Sequence, residues 1–227
     1  MSQPLPVYVV HSRALVERRV ALEGALAALG WAAAWIDAPE ATALSYVARR
    51  VSPRLSRAQA GVYLKHLEAW KRIAAGATPL ALVLEDDPIF PPGFARTFDE
   101  SLSALPPGAQ AVFFGASCGL EAAPMPDNPR FAAVDRARSM SGYVVTPDWC
   151  RDVLADLDGA PLVLPVDLAV DAVIRRRSLS TCWSVPALID NGSESGAFTR
   201  AVTKGPWRWR MGTIGRALKK LTTGGLP

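Results

Sequence analysis

The stretch Leu80-Ala81-Leu82-Val83-Leu84-Glu85-Asp86-Asp87 decides how this chain is read. Its first five residues are apolar without interruption, which fits a strand buried on both faces of a sheet. Three carboxylates follow at once. Like charges crowded at the rim of a core are costly, so something must compensate them. A divalent cation would do so. Magnesium and manganese prefer hard oxygen ligands and commonly take one or two carboxylates together with substrate phosphates. Residues two apart in an extended segment share a face, so Glu85 and Asp87 are expected to point together and Asp86 the other way. An acid-x-acid pattern at a strand end suits a metal held against a nucleotide diphosphate. A solvated turn leading to a helix cap is the alternative reading.

Working outward from this strand, helices and strands alternate. Upstream, Val7–Val10 reads as a first buried strand. Ser12 is placed to cap a helix over Arg13–Leu29, with Leu15, Leu22, Leu26 and Leu29 on one side and Gly30 as its stop. Trp31–Ile36 is expected to be a second strand, and residues 37–53 a loop with a short helix. Ser56 caps a helix over Arg57–Ala75, whose Ala60, Leu64, Leu67, Trp70 and Ile73 recur at helical spacing. Downstream, Phe94–Leu105 reads as helix, Ala111–Phe114 as strand and 116–130 as a loop. Phe131–Val134 and Ser141–Val145 read as strands. Pro147 suits the first turn of a helix to about Leu157, Asp167–Arg177 is another helix, and Leu179–Leu188 is extended.

Such an alternation predicts an α/β domain with a mainly parallel central sheet flanked by helices. Ligands in such sheets bind at the carboxyl ends of strands, where the acidic triplet lies. No G-x-G-x-x-G, no G-x-x-x-x-G-K-[ST] and no G-x-S-x-G occurs, which argues against dinucleotide-binding, P-loop and α/β-hydrolase sites.

Composition narrows the class further. The 227 residues suffice for one α/β domain, and half of them are hydrophobic. No apolar run approaches the ~18–20 residues that cross a bilayer, and the N-terminus lacks a basic segment of the signal-peptide kind. A cytoplasmic location is therefore expected. Three cysteines without a Cys-x-x-Cys and only two histidines, His11 and His66, argue against structural zinc. The net charge of +4 is uneven: residues 200–227 carry seven basic residues and no acidic one. This divides the chain into a folded part, 1–199, and a basic tail, 200–227.

Five segments, taken in order, resemble glycosyltransferase family 25, the lipopolysaccharide and lipooligosaccharide sugar transferases related to collagen galactosyltransferases. Glu17-Arg18-Arg19 is similar to the family's arginine pair. Gly61-Val62-Tyr63-Leu64-Lys65-His66-Leu67-Glu68-Ala69-Trp70 resembles its small-x-x-Leu-Ser-His-x-x-x-Trp helix, with Lys65 in place of the serine. Leu84-Glu85-Asp86-Asp87 is similar to its Glu-Asp-Asp motif, although Pro88 follows where an aliphatic is common. Ser141-Gly142-Tyr143-Val144-Val145 resembles its Gly-x-x-Tyr strand, and Leu164-Pro165-Val166-Asp167 its Pro-Val-Asp segment.

The resemblance implies a GT-A-like domain and an inverting transfer of a hexose, often galactose, from a UDP-sugar to a glycan or glycolipid acceptor such as lipopolysaccharide core. Manganese or magnesium would stabilise the departing diphosphate. On that view Asp87 is the first candidate metal ligand and Glu85 the second, while Asp86 hydrogen-bonds ribose or sugar hydroxyls. His11, Arg18, Arg19, Gly142 and Tyr143 are expected around the nucleotide, the arginines because a guanidinium grips phosphate bidentately. Asp167 is the candidate general base, with Asp171 and Glu194 in reserve; a plain N-cap is the other reading of Asp167. His66 is expected to support the site rather than react.

In the tail, Trp207, Met211, Ile214, Leu218 and Leu221 recur at helical spacing among Arg208, Arg210, Arg216, Lys219 and Lys220. If helical, residues 204–221 would lie on an anionic membrane surface, placing the protein peripherally at the inner face. A disordered tail, or one packed on its own domain, is the alternative. Nucleic-acid binding is not expected, because the basic residues stop short of the folded part. Two other functions stand beside the transferase reading: a non-catalytic nucleotide- or glycan-binding relative, and a metal-dependent phosphoryl or nucleotidyl hydrolase.

Overall fold

The computed structural model describes residues 5–40, 51–116, 121–137 and 139–198. The expected short helix within 37–53 lies largely outside these residues. The amphipathic tail and the boundary at 199 lie wholly outside them.

Nine strands and six helices are described. In order they are β1 (Val7–Val10), α1 (Val16–Ala28), β2 (Ala33–Ile36), α2 (Arg57–Ala75), β3 (Ala81–Leu84), β4 (Pro88–Ile89), α3 (Phe94–Ser103), β5 (Ala111–Phe113), β6 (Phe131–Val134), β7 (Gly142–Val145), α4 (Pro147–Leu157), α5 (Val166–Arg177), β8 (Thr181–Ser184), β9 (Asp190–Asn191) and α6 (Gly192–Ser195). Seven strands form one sheet in the order β2-β1-β3-β7-β5-β8-β6. β1 runs parallel to β2 and β3, and β5 parallel to β8. β7 is antiparallel to both β3 and β5, and β6 to β8. Five of the seven strands therefore share one direction, as the apolar runs predict. β4 and β9 make a separate two-residue ribbon that no apolar run announces.

The pleat divides the core in two. On one face Ala81 and Val83 of β3, Phe113 of β5 and Tyr143 and Val145 of β7 pack under α2, α4 and α5, through Leu67, Trp70, Trp149, Val153 and Val170. On the other face Leu82, Leu84, Val112 and Val144 meet Leu22 and Leu26 of α1 and Phe94 and Phe98 of α3. A sheet covered on both sides requires apolar residues at every position of its central strands, which is why β3 reads as an unbroken run.

Local signals set most element ends. Ser56 and Gln59 form a reciprocal capping box at α2. Thr146 caps α4, with Pro147 in its first turn. Ser12 does not cap α1, contrary to expectation. Its hydroxyl bonds Glu40 and its backbone N–H donates to Asp86, so α1 starts later, at Val16, without a side-chain cap.

Candidate functional site

β1 and β3 are neighbours, but the chain leaves β1 over one face of the sheet through α1 and reaches β3 from the other face through α2. The crossovers diverge between these two strands. The crevice outside their carboxyl ends is thus a topological switch point, where open α/β sheets take ligands. His11 and Ser12 follow β1 there, and Glu85, Asp86 and Asp87 follow β3.

The pleat continues one residue beyond each core position. Glu85 follows Leu84 and points to the α2 face, while Asp86 points to the α1 face. The chain bends at Asp86, and Pro88–Ile89 then pairs with Asp190–Asn191. This bend overturns the expected common face of Glu85 and Asp87: Asp87 joins Asp86 on the α1 side instead. Arg18 of α1 lies between the two aspartates, its Nη1 2.8 Å from Asp86 Oδ1 and 3.3 Å from Asp87 Oδ2. Its Nη2 donates to Ser193 Oγ at 2.7 Å, and the Phe198 ring lies 5.6 Å from its guanidinium carbon. Asp86 Oδ2 also lies 3.1 Å from His11 Nδ1 and accepts from Ser12 N–H. Asp87 Oδ2 accepts from the backbone N–H and the hydroxyl of Ser193.

These partners split the two acids electrostatically. Burial pushes Asp86 up, but the hydrogen bonds from His11 and Arg18 outweigh it and hold the carboxyl below its ordinary value. Asp87 goes the other way: burial and the neighbouring charge of Glu85 raise it, despite Ser193 and Arg18.

Glu85 stands apart, with 26% of its side chain exposed against 4% for Asp87. Its backbone N–H donates to Ser141 O, and its Oε1 lies 3.5 Å from Nε2 of the buried His66. Behind His66, Nδ1 is 2.8 Å from the Tyr143 hydroxyl, which also accepts from Trp70 Nε1 at 2.9 Å. Tyr143 has no exposed surface, and burial holds its phenol well above the ordinary value, so it keeps its proton.

Gly142 is likewise internal. A Cβ there would come within 2.4 Å of Ile189 Cδ1, so the glycine lets the 189–192 segment close over β7. Tyr143 and Gly142 are thus enclosed by protein, where direct contacts with a nucleotide were expected of them. His11, 1% exposed and edge-on to Trp35, is also a support for Asp86. Arg18 is spent on carboxylates rather than held open for phosphate. Arg19 pairs with Glu23 and Asp37 and lies over the Trp35 ring.

Two contributors escape the sequence reading. Lys65 is buried and donates to the His11 carbonyl at 2.6 Å and to Glu40 at 3.1 Å. Glu40 in turn accepts from the Ser12 hydroxyl and the Arg13 N–H, so the pair ties α2 and the 37–40 segment to the end of β1. Ser193 carries no sequence signal.

Asp167 sits half-buried in the first turn of α5. Asp171, one turn on, accepts from Ala137 N–H at 2.6 Å. Burial, with Asp167 as a further charge, raises Asp171. The side chain of Glu194 lies outside the described residues.

The donor set does not fit a preformed divalent-cation site. Three of the four oxygens of Asp86 and Asp87 accept from firm protein donors, and the fourth has Asn191 Nδ2 at 3.5 Å. A guanidinium already occupies the space between the two acids. Among the described residues, no group of three His, Cys, Asp or Glu side chains is arranged to hold a metal. An open groove of about 740 Å³ on α3, lined by Arg96, Glu100 and Arg130, contains none of these residues.

No protein-family model and no curated relative matches the sequence. Among solved structures, a Bacillus anthracis protein assigned as a glucose-1-phosphate thymidylyltransferase, solved with sucrose, aligns over 87% of this chain and 77% of its own, at 9% identity and a TM-score of 0.44. A glycosyltransferase involved in glycosylating the major capsid of PBCV-1 aligns over 83% of this chain and 92% of its own, at 11% identity and a TM-score of 0.41. Likenesses this slight carry no argument about function, which rests on the chain's own residues.

Proposed function

We propose that this protein is a glycosyltransferase that takes a nucleotide-sugar donor, a UDP-hexose, and passes the sugar to a hydroxyl of a glycan or glycolipid acceptor. One observation carries the reading. Four segments scattered between residues 17 and 145 meet at a single strand end: Arg18 from α1, His66 and Trp70 from α2, the acidic triplet after β3, and Tyr143 from β7. They are four of the five segments whose order resembles family 25, and they meet at the switch point where such sheets bind ligands. In this reading the donor lies outside β1 and β3, and Asp167 is the base that takes the acceptor proton while the sugar inverts. No step is assigned to a metal.

Arg18's hold on Asp86 and Asp87 favours a second reading, a nucleotide-sugar binder without turnover. The test is thermal stability with a panel of UDP-sugars, with and without manganese, followed by an assay for released UDP. A donor at 100 times its dissociation constant stabilises the fold by ~2.7 kcal/mol, or roughly 5–10 °C for a chain of this size. A shift with UDP release supports transfer. A shift without release in the presence of acceptor glycans supports the binder. No shift with any UDP-sugar overturns both. Anionic liposomes that sediment the full chain and a form ending at residue 203 equally would remove the proposed membrane role of the tail.

A further inference from the structure

We infer that Glu85 is the carboxylate of the triplet that meets the ligand, and that the buried series Trp70–Tyr143–His66 aims it. Asp86 and Asp87 accept from Arg18, His11, Ser12 and Ser193 on three of their four oxygens and are nearly sealed from solvent. Of the three, Glu85 alone keeps a partly exposed side chain. One buried polar atom faces it: His66 Nε2, which has no hydrogen-bond partner and lies 3.5 Å from Glu85 Oε1.

Hydrogen-bond bookkeeping fixes the proton. Trp70 Nε1 can only donate, so it occupies a lone pair of the Tyr143 oxygen. The Tyr143 proton then goes to His66 Nδ1, which leaves the imidazole proton on Nε2, aimed at Glu85. The opposite tautomer would strand the Tyr143 proton in the core and turn an Nε2 lone pair toward a carboxylate oxygen. The gap of 3.5 Å exceeds the 2.7–3.2 Å of a formed bond. Such contacts are often long before a ligand arrives and tighten when it does. His66 is thus a positioning residue, and Glu85 accepts a hydrogen bond from a hydroxyl of the bound sugar nucleotide. The identity of that ligand rests on the transferase reading; the aiming of Glu85 does not.

The experiment has two arms. In long-range ¹H–¹⁵N spectra of the protein alone, His66 should carry its proton on Nε2; a proton on Nδ1 overturns the inference. By calorimetry with UDP-galactose, Glu85→Gln should bind about 30-fold more weakly while keeping the His66 tautomer, in line with loss of a charge-assisted bond. His66→Leu should bind about tenfold more weakly. His66→Gln, whose amide can donate from the Nε2 position, should recover most of that loss, a rescue that simple packing would not produce. Unchanged affinity in Glu85→Gln overturns the inference. If neither UDP-galactose nor any other UDP-sugar of the panel binds the wild type, the donor reading fails, and the tautomer alone then decides whether His66 aims Glu85.

Discussion

Replacing Arg18 with methionine keeps most of its packing volume and removes the guanidinium shared by Asp86 and Asp87. Two buried carboxylates, on consecutive residues, then lose their guanidinium and keep only His11, Ser12 and Ser193 as close donors. Removing one partner of a buried ion pair costs about 3–5 kcal/mol, and this guanidinium touches both acids and Ser193. For a chain of this size that amounts to roughly 6–20 °C in melting temperature. The penalty should depend on pH. Asp86 is held below its ordinary value partly by Arg18, so it adds stability above the carboxylate range and loses it as pH falls through its folded value. Asp87 is raised, so its protonation on acidification relieves strain in the folded state. Circular-dichroism melts should therefore show a large gap between Arg18→Met and wild type at pH 7.5 and a smaller one near pH 5. Arg18→Lys, which keeps the charge but cannot reach all three partners, should fall between the two. Melting within 2 °C of wild type at pH 7.5 would refute the view that Arg18 is the site's internal counter-charge.

Gly142→Ala should cost about 1–3 kcal/mol through overpacking against Ile189, and Ile189→Val should return part of it; urea titrations of the two single variants and the double variant measure this coupling. Lys65→Met should destabilise the fold by about 1–3 kcal/mol at neutral pH. Hydrogen exchange should accelerate at Arg13, whose N–H donates to Glu40, since Glu40 loses one of its anchors. Burial pushes Glu40 up, but the Arg13 N–H and Lys65 outweigh it and hold it low, so the Lys65→Met deficit should shrink as pH falls through the carboxylate range. Asp156, held to about 2 by Arg177 and Arg176 against the smaller push of burial, should lose its contribution only in strong acid. Asp156→Asn should cost at most about 1 kcal/mol at pH 7, as a largely surface network allows, and nothing measurable near pH 2.

The elements most legible in the sequence are those fixed by local chemistry. Ser56 with Gln59, and Thr146 with Pro147, mark helix starts within the chain's own neighbourhood. The run from Ala81 to Leu84 reads as a central strand because both faces of the sheet demand apolar residues there. What escaped depends on partners distant in sequence. Ser12 has a capping residue's chemistry, yet Glu40 and Asp86 claim it. Arg18 has a phosphate ligand's chemistry, yet the nearest anions in the fold are two aspartates. The bend at Asp86 follows from the pairing of Pro88–Ile89 with Asp190–Asn191, a hundred residues away, and no local pattern in 85–87 reveals it.

β7 has a role beyond carrying Tyr143. Within the large sheet, β2, β1 and β3 form one block, β5, β8 and β6 another, and β7 is the sole hydrogen-bonded seam between them, with Val145 opposite both Ala81 and Ala111. Unzipping that seam would part the two blocks and, in the same motion, pull Tyr143 from behind His66. Loss of cooperative structure and loss of an aimed Glu85 are thereby a single event, and a partly opened molecule keeping half its sheet would have no working crevice.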